Sequence, residues 1–194
     1  MPETEAISTR DRILDAAWTL AVEEGVGAAS MNGVARAVGL SRQAVYLHFP
    51  NRATLLAETA RRHDERSGFG GRVVAARALP PVEALAALIG EWFAYVPQIA
   101  PVARGLLAAF EAGDEGGTAF SERMADLRRV LHAAVERIAE AGRLRDGWTV
   151  DEATDWVWSR VHFTTWRHLV DERGWSAELA LERTLRSLAS DLIV

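Results

Sequence analysis

Between Ser41 and His48 the chain reads SRQAVYLH, and its polar side chains suit the edges of base pairs. Arg42 can fork onto guanine O6 and N7, and Gln43 onto adenine N6 and N7, each good pair discriminating by about 1–3 kcal/mol. Ala44 is small enough to meet a thymine methyl, and Tyr46 and His48 extend the same surface. Ser30, Ser41, Tyr46 and Arg52 suit phosphates instead, through hydroxyls, helix N-termini and charge. The chain has no lysine, so a cationic phosphate contact falls to arginine or a protonated histidine. Catalytic chemistry has no comparable pattern. No Gly-x-Ser-x-Gly elbow occurs, His162 and His168 are not spaced i, i+4, and Glu136 and Glu140 lack a Glu-x-x-His partner. No catalytic residue, metal site or cofactor is expected.

Positioning those side chains requires the stretch from Ser30 to Leu56. It reads as two short helices and a tight turn, followed by the start of a third helix. Ser30 caps a helix over about Met31–Val38, and Ser41 caps one over about Arg42–Phe49. Gly39 lies between them, where a left-handed backbone costs no Cβ clash. Val34, Ala35, Val38, Leu40 and Val45 pin the pair together. This is a helix-turn-helix pattern, whose second helix enters the DNA major groove. Pro50 drives Phe49 out of the helical region, and Asn51 caps the next helix. A protein-interaction module that never meets DNA would show the same polar helix.

The run GLSRQAVYLHFPNRATLL resembles the signature of TetR-type bacterial regulators, with its glycine turn, capping serine, short helix, aromatic-x-His-Phe run and polar helix start. The resemblance covers about Thr9 to Leu56. It implies a DNA-binding head over residues 8–50 and a ligand-binding and dimerisation body over 51–194, with the helix at 51–66 connecting them. It implies DNA contacts at the positions named above. Arg52 stands where that family usually has lysine. Gly33 falls inside the first helix of the motif, where glycine costs roughly 1 kcal/mol relative to alanine, and is read as loosening the head.

With 194 residues, 49% hydrophobic and 25% charged, the chain has the composition of a soluble globular protein. The absence of cysteine excludes disulfides and thiolate metal sites. The N-terminus is acidic and polar rather than a signal peptide, and no uninterrupted apolar run reaches membrane length, so the expected compartment is the cytoplasm. Net charge is −5, unevenly spread: Ser8–Arg62 holds seven arginines against five acids, while the remainder is acidic. A mildly basic head on an acidic body suits a DNA reader.

The fold class is all-α with about nine helices. Met1–Ile7 reads as a frayed tail. Helix 1 covers about Thr9–Glu24, with Trp18 expected to pack on the next two helices. Ser67–Gly71 reads as a linker before a short helical piece over 72–79. Further helices are expected at 81–96, 102–112, 118–141, 151–172 and 176–192, with Pro97 and Pro101 bracketing a turn and residues 113–117 a loop. Trp92, Phe93, Phe110, Met124, Trp158 and Trp166, with Arg128 and His162 as polar groups, are candidates to line a pocket for an apolar or aromatic small molecule. Taken singly, such a residue is more often plain core, and it is the collection in one small body that points to a cavity. Trp156 and Phe163 belong to a helix that is apolar on several sides. Leu181, Leu185, Leu188 and Leu192 form a stripe, and both patterns suit either monomer core or a four-helix dimer bundle. The resemblance implies a homodimer on a palindromic operator, with half-sites about 34 Å or more apart. It also implies repression relieved by the small molecule. The alternatives are the same fold without a small-molecule effector, or an all-helical lipid-handling protein or enzyme.

Overall fold

The computed structural model describes residues 7–113 and 117–194, so most of the expected tail and the centre of the expected 113–117 loop lie outside the described residues. The chain is all-α. Its helices are α1 (Thr9–Glu23), α2 (Met31–Val38), α3 (Arg42–His48), α4 (Arg52–Ser67), α5 (Phe69–Arg77), α6 (Pro81–Glu111), α7 (Gly117–Glu140), α8 (Val150–Val161), α9 (Phe163–Arg167) and α10 (Ala177–Leu192). A π-helical turn, His168–Glu172, follows α9. Among the described residues the extended pairing is one isolated antiparallel bridge, Leu144 to Ile193.

Two compact units form, one from the chain up to Ser67 with residues 99–121, the other from 68–98 with 122–194. In the first, α1 to α4 each begin on a side-chain cap. Ser8 accepts from Asp11 N, Ser30 from Gly33 N, Ser41 from Ala44 N and Asn51 from Thr54 N. Each such cap stabilises a helix by about 1 kcal/mol. Gly39 is left-handed at φ 71°, ending α2 as the sequence requires. Ile13, Leu14, Ala17, Val34, Val45 and Phe49 fill the core beneath. Trp18, expected on the next two helices, stacks its ring at 3.6 Å on His63 of α4.

Gly33 also differs from its expected role. A Cβ there would overlap the Ala28 carbonyl oxygen, so glycine permits a close approach rather than loosening the head. Gly105, on the later half of α6, plays a similar part. A Cβ there would overlap Val26, with Leu56 close behind.

The turn expected between Pro97 and Pro101 does not form, because α6 runs unbroken through both prolines. Each proline removes one backbone donor and costs about 3 kcal/mol in a helix interior. Phe93, Tyr95, Val96, Ile99, Val102, Leu106 and Leu107 are buried along the same helix, at about 1.5–3 kcal/mol for each large side chain. Four or so of these offset both prolines. At 31 residues α6 is long and apolar enough by composition to cross a membrane, although Glu91 and Arg104 interrupt its apolar run. Its buried residues make it a core helix of the protein.

Two further boundaries move. Gly70 and Gly71 are helical within α5, and the linker shrinks to Gly68 at φ 70°. The helix expected over 151–172 breaks at His162, whose backbone is extended at φ −56° and ψ 142°. Partners collect the carbonyls freed there. Thr165 Oγ1 donates to Ser159 O at 2.7 Å, and Trp92 Nε1 donates to Val161 O at 2.8 Å.

Candidate nucleic-acid interface

α3 is held from below and open above. Val45 and Phe49 are buried in the head core, while Ser41, Arg42, Gln43, Tyr46, Leu47 and His48 are exposed. Phe49 ends the helix in extended backbone at φ −138°, the conformation that the following proline favours. With 100° of turn per residue, Gln43 and Leu47 lie about 160° either side of Val45. These two therefore share the ridge farthest from the core. Arg42 and Tyr46 form one flank, joined by a 3.0 Å hydrogen bond from Arg42 Nη2 to the Tyr46 hydroxyl. The Arg42 guanidinium also lies 5.3 Å from the Tyr46 ring centre. Ala44 and His48 form the other flank.

The basic excess of the head is mostly spoken for. Arg10 pairs with Glu58, Arg61 with Glu58 and Glu65, and Arg62 with Asp11 and Asp15. Arg12 donates to Val38 O at 3.0 Å. The hydrogen bond from Arg62 holds the Asp15 carboxyl below the usual carboxylate range, and that from Arg61 does the same for Glu58. The Arg10 and Arg62 pairs tie α1 to α4, and the Arg12 bond ties α1 to α2. Arg52 is half-buried and is turned toward the loop before α2. Its Nε donates to Ala29 O at 3.1 Å and its Nη2 to Val26 O, so it braces the loop before α2. Ser30 is half-buried and occupied as a cap. Leu47, although apolar, stands 83% exposed on the outer ridge. Its two-residue offset from Val45 is the signal that places it there.

In the second unit the expected pocket residues divide. Trp92, Met124, Trp158 and His162 come together around the α8–α9 break. Trp158 Nε1 donates to Met124 O at 2.8 Å, and the Trp158 ring meets His162 edge-on at 4.6 Å. His162 Nδ1 accepts from Thr164 N at 3.2 Å, capping α9. Burial pushes the His162 imidazole below its ordinary pKa and favours the neutral ring. Phe93 and Trp166 are buried. The Trp166 indole N–H has no hydrogen-bond partner among the described residues, whereas the Trp92 and Trp158 donors are satisfied. Two of the expected pocket residues lie apart from this group. Arg128 is a surface residue paired with Asp155 at 2.7 Å. Phe110 is 49% exposed and belongs to the first unit, where it meets Phe120.

The proposed dimer residues also separate. Phe163, Leu188 and Leu192 are buried within the single chain, so they are core and not available to a partner. Trp156, Leu181 and Leu185 are half-buried. Trp156 donates to Asp191 Oδ2 at 3.0 Å and carries the Arg160 guanidinium over its ring at 4.1 Å.

Residues 13–59 match the family model described as bacterial regulatory proteins, tetR family. The chain is 41% identical over 54 residues to the HTH-type transcriptional regulator AcrR of Shigella flexneri, covering 28% of this chain and 25% of that protein. It is 44% identical over 52 residues to the regulator SrpR of Pseudomonas putida, covering 27% and 24%. The chain thus spans about a quarter of the length of the curated relatives it matches. Among solved structures, NalD of Pseudomonas aeruginosa, the secondary repressor of the MexAB-OprM multidrug efflux pump, superposes with a TM-score of 0.67 at 25% identity, over 95% of this chain and 96% of that one. A protein of Saccharomonospora viridis assigned as a transcriptional regulator and solved with choline superposes with a TM-score of 0.77 at 18% identity, over 95% and 97%.

Proposed function

We propose that this chain, a TetR-type transcriptional regulator by the motif and structure of its head, works as a homodimeric repressor that a small molecule releases from a palindromic operator. The observation that carries the reading is α3, a capped helix anchored by Val45 and Phe49 that offers Arg42, Gln43, Tyr46 and His48 outward. On this reading residues 8–50 meet DNA, and residues 51–194 hold the ligand and the partner copy. Ser41, Arg42, Gln43, Ala44, Tyr46 and His48 are the contacts that α3 offers, with the α2 cap Ser30 beside them. Half-buried Trp156, Leu181 and Leu185 are the side chains with surface left for the second copy. The ligand reading draws support from Trp166. A buried N–H without an acceptor costs about 1–3 kcal/mol, and a ligand carbonyl or ether oxygen would remove that cost. Neutral His162 nearby in sequence favours an uncharged ligand. No catalytic role is assigned, and a soluble cytoplasmic protein suits the reading.

Selection of bound sequences from random DNA tests this, repeated with a panel of apolar and aromatic compounds. A recovered palindrome, bound with a steep salt dependence and lost when a compound is added, is the expected result. A footprint without two-fold symmetry sinks the dimeric part. A second reading, the same DNA-binding fold without an effector, is favoured by the internal hydrogen bonds of Trp92 and Trp158, which give those indoles a purely structural use. Operator binding that no compound alters would support it.

A further inference from the structure

We propose that Leu47 reads the 5-methyl group of a thymine, so that each half-site of the operator contains one A·T pair selected through that methyl. This rests on the DNA-reading role of α3 proposed above. Among the described residues Leu47 is the most exposed large apolar side chain, at 83% against 38% for its neighbour Tyr46. It does not contribute to the core that holds α3, because buried Val45 and Phe49 lie two residues to either side of it. It shares the outermost ridge with Gln43, four residues earlier. That ridge leads when the helix approaches a groove.

The surroundings of Leu47 select the partner. A protein interface would bury a cluster of apolar side chains at its centre. Leu47 instead stands as a single isobutyl group among Arg42, Gln43, Tyr46 and His48, on a surface that carries positive charge and hydrogen-bond donors. The major groove offers the complement: phosphates along its walls, base edges with donors and acceptors, and the thymine methyl as its apolar feature. Gln43 and Leu47 are separated by about 6 Å along the helix, roughly two base-pair steps. A glutamine set for adenine and a leucine set for a thymine methyl therefore fall within the same short run of A·T pairs.

The test uses the full chain and the operator recovered by selection. Each thymine is replaced in turn by uracil, which deletes only the methyl, and binding is followed by fluorescence anisotropy with wild type and Leu47→Ala. The expected result is one thymine per half-site whose replacement weakens wild type about fourfold, the equivalent of ~0.8 kcal/mol for one apolar carbon. Replacing it in both half-sites should cost roughly fifteenfold on the same basis. Leu47→Ala should show no penalty at that thymine, keep the wild-type salt slope, and melt with wild type by circular dichroism. An undiminished uracil penalty in Leu47→Ala overturns the proposal. So does a uniform loss across all sequences, or a wild type indifferent to every methyl. If wild type selects no sequence at all, the reading of α3 as a DNA helix fails first, and this failure is distinct from the others.

Discussion

Arg52 holds two carbonyls of the α1–α2 loop, at Ala29 and Val26, through one guanidinium. Arg52→Ala should lower stability by about 1–3 kcal/mol in a urea titration while leaving the salt slope of DNA binding unchanged. A slope reduced by about one would return Arg52 to the phosphates. Arg42→Ala and Gln43→Ala should each cost about 1–3 kcal/mol at particular base pairs and little elsewhere, measured on operators carrying single substitutions. Gly33→Ala should destabilise the head despite the better helix propensity of alanine, because the Ala28 carbonyl occupies the space of the Cβ. A Tm at or above wild type would remove that explanation. The capping serines, Asn51 and Gly39 were legible in the sequence because each acts on backbone within a few residues. Arg52 and Gly33 were not, since their roles depend on where the loop 24–30 brings its carbonyls. The exposure of Leu47 follows from its helical angle to Val45, whereas its residue type alone argues for burial.

At the level of elements, the α8–α9 break makes a pH prediction. His162 has a depressed pKa in the folded chain, so on acidification the unfolded state binds a proton first. Its contribution to stability is present above the ordinary histidine value of about 6.5 and is lost as pH falls below it, down to the lowered folded value. The carboxylates of Asp15 and Glu58, held below 3.8 and 4.5, contribute their own losses only in more acidic solution. His162→Asn keeps a side-chain acceptor for Thr164 N but does not titrate. It should flatten the stability profile as pH falls below about 6.5, as read by denaturant midpoints. A wild-type slope retained in the variant would assign the effect elsewhere. Neither this break nor the continuity of α6 follows from local rules. Proline argued for a turn in α6, and tertiary burial along the helix outweighed it. Apolar periodicity argued for one helix over 151–172, and donors from Trp92, Thr164 and Thr165 satisfied the acceptors at the break.

For the whole molecule, the leucine stripe of α10 makes the clearest division. Leu188→Ala should destabilise each chain by about 2–5 kcal/mol, as a buried leucine does. Leu185→Glu, at a half-buried position, should separate the copies in sedimentation velocity and leave helicity intact. An unchanged sedimentation coefficient would remove α10 from the interface. The sequence pattern announced a buried stripe but not whose surface buries it, because period reports a face and not the owner of its neighbour. The same distinction governs how far this protein can be taken apart. Val26 and Leu56 lie against Gly105, a residue some fifty positions downstream of the motif, where an added Cβ would force Val26 to shift. A chimera joined just after the helix-turn-helix, with a foreign sensor behind it, would leave that apolar seat empty or filled by the wrong shape. A transplantable head therefore has to be cut as two pieces of chain, and the sequence homology that marks its first piece gives no hint of the second.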